Sequence, residues 1–152
     1  MTTTLSSPSA LLTMAGADLG HSDWLEVPQR NIDLFAQATH DRQWIHVDVE
    51  RAKAGPFGTT IAHGYLTLSL LIPLWARMLD FNNISMGVNY GLNKVRFPAP
   101  VPSGSRVRLH ATIHEVTDLG GGGVQAVIDA TMYREGAEKP VCAAQMVHRY
   151  YE

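Results

Sequence analysis

The sequence predicts an α+β fold in which a curved antiparallel sheet wraps around a long central helix. Residues 64–80 are apolar on almost every side at helical spacing, which is typical of a helix enclosed by protein. After about residue 84 apolar residues recur at every second position, the period of strands with one buried face. The chain has 152 residues, which corresponds to about one domain.

The first quarter of the chain is expected to contain a tail and one helix. Residues 1–15 begin with a polar stretch, and we expect a flexible N-terminal tail there, followed by a single domain over residues 16–152. Residues 28–38 place apolar side chains at helical spacing. Pro28 suits the first turn of this helix.

A short helix and a loop are expected before the central helix. Asp48 can cap a helix that runs to Ala54 and ends at the Gly-Pro pair that follows. Residues 55–60 are rich in Gly, Pro and Thr and predict a loop. Pro73 lies within the central helix and is expected to kink it or end its first half.

Strands fill the second half. Three runs alternate apolar and polar residues, with short glycine-containing turns between them: 106–116, 124–132 and 142–150. This predicts an antiparallel meander. Residues 86–97 add one or two strands, broken at Gly91. One enclosed helix inside a curved sheet is the hotdog arrangement, and its open sheet edges favour pairing with a second copy.

Composition excludes several classes of function. The formal net charge is −2, which argues against nucleic acid or an anionic membrane as the main partner. Cys142 is the only cysteine, so no internal disulfide or Cys-rich zinc site is expected. No secretory signal is evident, and the apolar stretch 61–79 is interrupted by His63, Pro73 and Arg77. We expect a cytoplasmic protein with no membrane span.

Asp41 and His46 form the first candidate site. They stand five residues apart in the connection after a predicted helix. A carboxylate and an imidazole can hold one water and exchange protons with it near neutral pH. The alternative is structural, with a capping Asp and a half-buried His.

Gly64 forms the second candidate site, at the point where a loop enters the buried helix. Free backbone N–H groups at a helix start can stabilise a negatively charged oxygen. The alternative is a helix start that needs a small residue for packing.

Together these stretches resemble the MaoC-like or (R)-specific enoyl-CoA hydratase family. The resemblance rests on three stretches: HDRQWIHVD (40–48), GPFGTTIAHG (55–64) and NYGLNKVRFPAPV (89–101). It is strongest with the stand-alone bacterial branch, which includes mycobacterial hydratases and nodulation protein N. The resemblance implies a hotdog fold, with Asp41 and His46 as the catalytic pair and the Gly64 N–H bound to the thioester oxygen.

Three positions in the motif depart from the wider family. Gln43 replaces the common Asn, and Trp44 replaces the Pro. A Gln side chain still donates and accepts hydrogen bonds, so we expect Gln43 to contact substrate. His40 replaces the usual Gly, which suggests that a positive φ is not required there.

Further substrate contacts are expected outside the motif. The acyl chain is expected to run along the central helix, past Leu68, Ile72 and Trp75. Lys94 and Arg96 share one strand face and are expected to meet coenzyme A phosphates, the alternative being a solvated face. His63 orients the loop beside Gly64 or is a hydrogen-bonded structural residue. No His pair has the helical spacing of a metal site, so neither a metal nor another cofactor is expected.

The resemblance implies reversible hydration of a trans-2-enoyl-CoA to an (R)-3-hydroxyacyl-CoA, carried out by a homodimer. The carrier is coenzyme A or acyl carrier protein. An acyl-CoA thioesterase is the nearest enzymatic alternative, because hotdog folds support both reactions. The non-enzymatic alternative is a hotdog protein that binds acyl thioesters without turning them over.

Overall fold

A computed structural model describes residues 1–152 of the protein. The strands are β1 (Thr3–Leu5), β2 (Asp18–His21), β3 (Leu25–Val27), β4 (Leu79–Phe81), β5 (Met86–Arg96), β6 (Ser105–Gly120), β7 (Gly123–Arg134) and β8 (Cys142–Tyr151). The helices are α1 (Gln29–Thr39), α2 (Trp44–Val47), α3 (Val49–Lys53), α4 (Gly64–Ser69) and α5 (Leu71–Ala76), and Pro8–Thr13 is a 3₁₀ helix. None of the helices has the length and apolar character needed to cross a membrane.

The main sheet is a six-stranded antiparallel sheet, which confirms the predicted α+β class. Its order is β2-β6-β7-β8-β5, and β3 also pairs with β6. β6, β7 and β8 form the predicted meander. The inward positions of β6 are fully buried: Val107, Leu109, Ala111 and Ile113. β5 remains one strand across Gly91, with register shifts between Asn89 and Gly91 and between Leu92 and Lys94.

The interruption expected in the central helix is present, but it lies at Leu70 and not at Pro73. The segment forms two six-residue helices, α4 and α5, which meet at Leu70. The division falls three residues before Pro73, which occupies the third position of α5. A residue in the first turn has no intrahelical acceptor for its N–H, so proline is tolerated there. Leu71 and Leu74 are fully buried, and α5 still packs inside the sheet as predicted.

The N-terminal segment is not the flexible tail that we expected over residues 1–15. β1 pairs in parallel with β4, Thr3 lying opposite Leu79. Leu11, in the 3₁₀ helix, is fully buried in the core. The apolar residues of this segment are too widely spaced to form a periodic pattern. The strand that pairs with β1 lies about half the chain away in sequence.

Candidate active site

Two segments that are distant in sequence build the site. The first runs from His40 through α2, and the second is residues 60–64, which lead into α4. They are joined by a hydrogen bond from the Ile61 N–H to the Ile45 carbonyl at 3.0 Å. The second segment is anchored on its other side, where the Ala62 N–H donates to the Val101 carbonyl at 2.8 Å. Backbone hydrogen bonds therefore hold the second segment in place on both of its sides.

His46 is buried and has a fixed tautomer. Its side chain is held with Nδ1 2.7 Å from the Ile61 carbonyl oxygen. A carbonyl only accepts, so Nδ1 carries the proton and Nε2 keeps its lone pair. Burial lowers the pKa of His46, and the nearby His63 adds to this effect, while the Ile61 carbonyl and Asp41 oppose it. The result is a neutral imidazole whose Nε2 can accept a proton at neutral pH.

His63 lies between His46 and Asp41 and positions both. Its ring stacks on that of His46, with centroids 3.9 Å apart and planes inclined by 23°. Its Nε2 lies 2.8 Å from the backbone carbonyl oxygen of Asp41 and donates to it. The ring is almost completely buried, and its Nδ1 has no hydrogen-bond partner. His63 is thus hydrogen-bonded to the loop that carries Asp41, and its role towards substrate stays a prediction.

The Asp41 side chain is exposed and faces the two histidines. One ligand atom from each of Asp41, His46 and His63 lies within 4.8 Å of the others. A water that forms two hydrogen bonds of ~2.8 Å spans about 4.6 Å between its partners. The carboxylate and the imidazole are therefore close enough to share one water.

The structural alternative for Asp41 does not describe this loop. The N-cap of α2 is Gln43, and Asp41 Oδ1 accepts only a long bond of 3.5 Å from the Gln43 N–H. The capping aspartate is Asp48, whose Oδ1 accepts from the Arg51 N–H at 3.0 Å at the start of α3. This confirms the cap predicted at Asp48 and leaves the Asp41 carboxylate largely free.

Asp41, His46 and His63 are also the residues that come closest to a metal site. The lone pair of an imidazole nitrogen lies in the plane of its ring. The two nearly parallel, stacked rings direct these lone pairs side by side instead of towards one point. The tetrahedral geometry that Zn²⁺ favours needs convergent donors. The arrangement fits a shared water better than a metal ion.

His40 corrects one expectation. Its φ is +64°, in the left-handed region, where it ends α1. The inference that no positive φ is required at this position is therefore wrong. His is one of the non-glycine residues found more often than most in this region, at an energetic cost. The left-handed turn carries the chain from α1 directly into Asp41.

Gly64 combines both properties predicted for it. It is the first residue of α4, and its N–H donates to no acceptor in the protein. A Cβ at this position would lie 3.1 Å from the Phe97 ring, so close packing also requires a small residue. Gly64 lines a hollow of about 290 Å³ together with Phe97. Because α4 is short, the free N–H itself, more than a helix dipole, is what the site offers.

Gln29 and Thr60 are positioning residues that the sequence analysis missed. The Gln29 Nε2 donates to the His46 carbonyl at 2.7 Å, and its Oε1 accepts from the Thr60 hydroxyl at 2.6 Å. Thr60 is almost fully buried. Gln29 therefore ties α1 to both segments of the site. No local pattern signals a contact between residues 17 and 31 positions apart.

The motif departures at Gln43 and Trp44 lie on the outside of the loop. The Gln43 side chain is exposed and makes no hydrogen bond in the protein. The Arg51 guanidinium stacks over Trp44 at 4.3 Å from the ring centroid. A Cβ on Gly55 would come within 2.9 Å of that ring. The absence of a side chain at Gly55 thus leaves room for the Trp44 ring. Neither departure separates Asp41 from His46.

The other predicted contacts are distributed over two places. Leu68 and Ile72 line a cavity of about 360 Å³. Trp75 is not on its wall: it is buried in the core and donates its Nε1 hydrogen to the Tyr150 hydroxyl at 2.7 Å. Lys94 and Arg96 are exposed on β5. Their predicted role in binding phosphates stays a prediction.

Comparison with known proteins decides the family. The model of the MaoC-like domain matches residues 11–132. This chain belongs to the MaoC-like dehydratase family. This family member is 53% identical to 3-hydroxyacyl-thioester dehydratase Z of Mycobacterium tuberculosis over 147 residues, which cover 97% of each chain. It is 45% identical to nodulation protein N of Rhizobium leguminosarum over 134 residues, covering 87% of this chain and 83% of that protein.

Structural similarity confirms the fold of this MaoC-like protein. An R-hydratase of Pseudomonas aeruginosa, solved without ligand, superposes with a TM-score of 0.74 at 24% identity, covering 97% of this chain and 87% of the other. The predicted resemblance to this family and the hotdog arrangement are both confirmed.

Proposed function

We propose that this protein catalyses the reversible hydration of a trans-2-enoyl-CoA to an (R)-3-hydroxyacyl-CoA, with Asp41 and His46 acting on one water. The observation that carries the proposal is the spacing of that pair: a carboxylate oxygen of Asp41 and a ring nitrogen of His46 lie within 4.8 Å of each other. The name of the mycobacterial relative, a 3-hydroxyacyl-thioester dehydratase, supports the same reaction in the direction of water loss.

The proposed chemistry uses three groups. The water held by Asp41 and His46 loses a proton to the pair as its oxygen forms a bond to C3. The electrons of the double bond move towards the thioester, and the negative charge on its oxygen is stabilised by the Gly64 N–H. The pair then returns a proton to C2. Both additions occur from the side of the pair, so addition is syn, and no redox cofactor or metal enters the balance.

We assign Lys94 and Arg96 to the phosphates of the thioester carrier. The chain passes from Arg96 directly into Phe97, whose ring covers Gly64. A cation at this position lies one residue from the wall of the hollow into which the thioester would enter. Coenzyme A is the proposed carrier, and acyl carrier protein presents the same phosphopantetheine.

The proposed working form is a homodimer that pairs through β5. This strand is at one edge of the sheet, so one side of its backbone has no partner strand. It also exposes large apolar side chains, Met86 by 52%, Tyr90 by 58% and Leu92 by 44%. Such an edge is prone to pair with another strand. Light scattering should give twice the chain mass at micromolar concentration; a monomer would contradict the assignment.

The test of function is addition of purified protein to crotonyl-CoA. We expect loss of the ultraviolet absorbance of the conjugated thioester with no release of free thiol, and formation of the (R)-hydroxy product. Release of free thiol would indicate a thioesterase instead. Binding of crotonyl-CoA with neither change would indicate a non-catalytic binding protein. Asp41→Asn provides the matched control for contaminating activity.

A further inference from the structure

A third buried histidine, distant from His46 and His63 in sequence, lies on the wall of the acyl-sized cavity. His148 is 5% exposed and lines the cavity of about 360 Å³ that Leu68 and Ile72 also line. Most of the other lining residues are apolar, and the remaining polar side chains are Ser69 and Asn89. An imidazole is an unusual wall for a pocket that holds a plain alkyl chain, because an unpaired buried polar group is costly.

A chain of hydrogen bonds fixes which nitrogen of His148 carries the proton. The Trp75 Nε1–H, which can only donate, lies 2.7 Å from the Tyr150 hydroxyl oxygen. The same oxygen lies 3.1 Å from His148 Nδ1. All three groups are satisfied when the Tyr150 hydroxyl hydrogen donates to Nδ1. His148 then carries its own hydrogen on Nε2.

Both titratable groups keep these hydrogens at neutral pH. Burial raises the pKa of Tyr150 to about 12, so the hydroxyl hydrogen is retained. Burial lowers the pKa of His148 to about 4, so the imidazole is neutral and holds one hydrogen. The Nε2 of His148 has no hydrogen-bond partner in the protein, and unlike Nδ1 of His63 it is not sealed from its surroundings. Because His148 lines the cavity, Nε2 is the free donor that the ring can offer to a molecule bound there.

We propose that the acyl group of the natural substrate carries an oxygen beyond the reacting carbons, as a hydroxyl, keto or ether group, which accepts a hydrogen bond from His148 Nε2 in this cavity. The proposal rests on the proposed function, since it places the acyl end of that substrate here. It makes His148 a determinant of specificity, with Trp75 and Tyr150 as its positioning residues.

The tautomer is tested without any turnover. Long-range ¹H–¹⁵N spectra of the labelled protein should show His148 as the neutral form with the hydrogen on Nε2. In Tyr150→Phe this preference should disappear, because Nδ1 loses its donor. A wild-type spectrum with the hydrogen on Nδ1 would overturn the proposal, whatever the enzyme does.

Substrate preference is the kinetic test. Matched trans-2-enoyl-CoA thioesters of equal length are compared, one with an alkyl chain and the others with a hydroxyl at successive carbons beyond the double bond. One position should raise kcat/KM roughly tenfold over the alkyl substrate, the size of one neutral hydrogen bond. His148→Phe should abolish this ratio. Cys142→Ala, a buried change on the same strand away from the cavity wall, should leave the ratio unchanged.

The outcomes separate this inference from the proposed function. Turnover of all the thioesters with no preference for any hydroxyl position would overturn the inference and leave the hydratase intact. The same preference in wild type and His148→Phe would also overturn it. If no thioester is turned over, the proposed function fails. The preference for a hydroxyl is then measured as the ratio of the dissociation constants of the hydroxylated and alkyl thioesters, and His148→Phe should abolish that ratio.

Discussion

The sheet β6–β8 and the site over residues 40–64 are built in different ways. In the sheet, neighbours are set by register, so alternating residues such as Leu109 and Ile113 reveal their buried face. In the site, the two histidine side chains are each held by a backbone carbonyl far along the chain. His46 is bound to the Ile61 carbonyl and His63 to the Asp41 carbonyl. The sheet thus follows local periodicity, and the site depends on a few long-range hydrogen bonds.

This difference suggests that the sheet mainly determines stability and the site mainly determines the rate of reaction. The sheet and its enclosed helices supply most of the buried apolar side chains, and hence most of the stability. The site segment has an exposed carboxylate at Asp41 and only short helices around it. Changes at Asp41 should therefore affect rate more than folding, whereas changes in the sheet should do the reverse.

The largest expected effect is on catalysis. Asp41→Asn and His46→Gln should each lower kcat by at least about 100-fold, because each removes one partner in proton transfer. KM should change less, since the pair contacts the water and not the carrier. Steady-state hydration of crotonyl-CoA measures both values.

The control for these variants is Asp48→Asn. Asn also caps helices well, so this change removes a carboxylate from the same loop without removing the cap. We expect kcat close to wild type and an unchanged melting temperature. Near-normal turnover in Asp41→Asn or in His46→Gln would remove the pair from the mechanism.

The next largest effect concerns stability in the sheet. The pKa of His148 falls from 6.5 to about 4 on folding, so the unfolded chain binds more protons between these values. His148 therefore contributes stability that is complete above pH 6.5 and is lost as the pH falls towards 4, up to about 3 kcal/mol. Urea unfolding at several pH values should show this slope. His148→Phe should flatten it, leaving the smaller slopes of His46 and His21, whose pKa values burial also lowers; an unchanged slope would contradict the assignment.

Gln29 joins α1 to both segments of the site and should affect both stability and rate. Gln29→Ala leaves the His46 carbonyl and the buried Thr60 hydroxyl without their partner. We expect the free energy of unfolding to fall by about 1–3 kcal/mol and kcat to fall as well. Gln29→Glu keeps the acceptor for Thr60 but loses the donor to His46, so it should retain part of the stability. Wild-type stability in Gln29→Ala would show that this residue does not hold the site together.

The smallest effect is expected at His40, where the backbone is left-handed. His40→Gly removes the Cβ strain, whereas a β-branched residue increases it. The free energy of unfolding of His40→Val should lie ~1–2 kcal/mol below that of His40→Gly. Equal stabilities of the two variants in denaturant titrations would contradict the left-handed turn.

Local pattern predicted the strands β5 to β8 and missed β2 and β3, which are too short to show a period; it predicted the site only in part. Alternation located β6, β7 and β8, and the spacing of Asp41 and His46 together with the family resemblance located the pair. The interruption of the central helix was expected at Pro73, and its position at Leu70 was missed because α4 and α5 share one apolar sequence. The left-handed turn at His40 was missed because a positive φ is not visible in a non-glycine residue. Gln29 was missed because its partners are distant in sequence.

The central claim is that Asp41 and His46 act as one unit on a shared water, and kinetics of the double variant test it most directly. Residues that act as a unit are not additive in their effects on rate. Asp41→Asn combined with His46→Gln should be little slower in hydrating crotonyl-CoA than the slower single variant. A double variant whose loss in kcat equals the product of the two single losses would show that the two residues act independently, and would contradict the shared water.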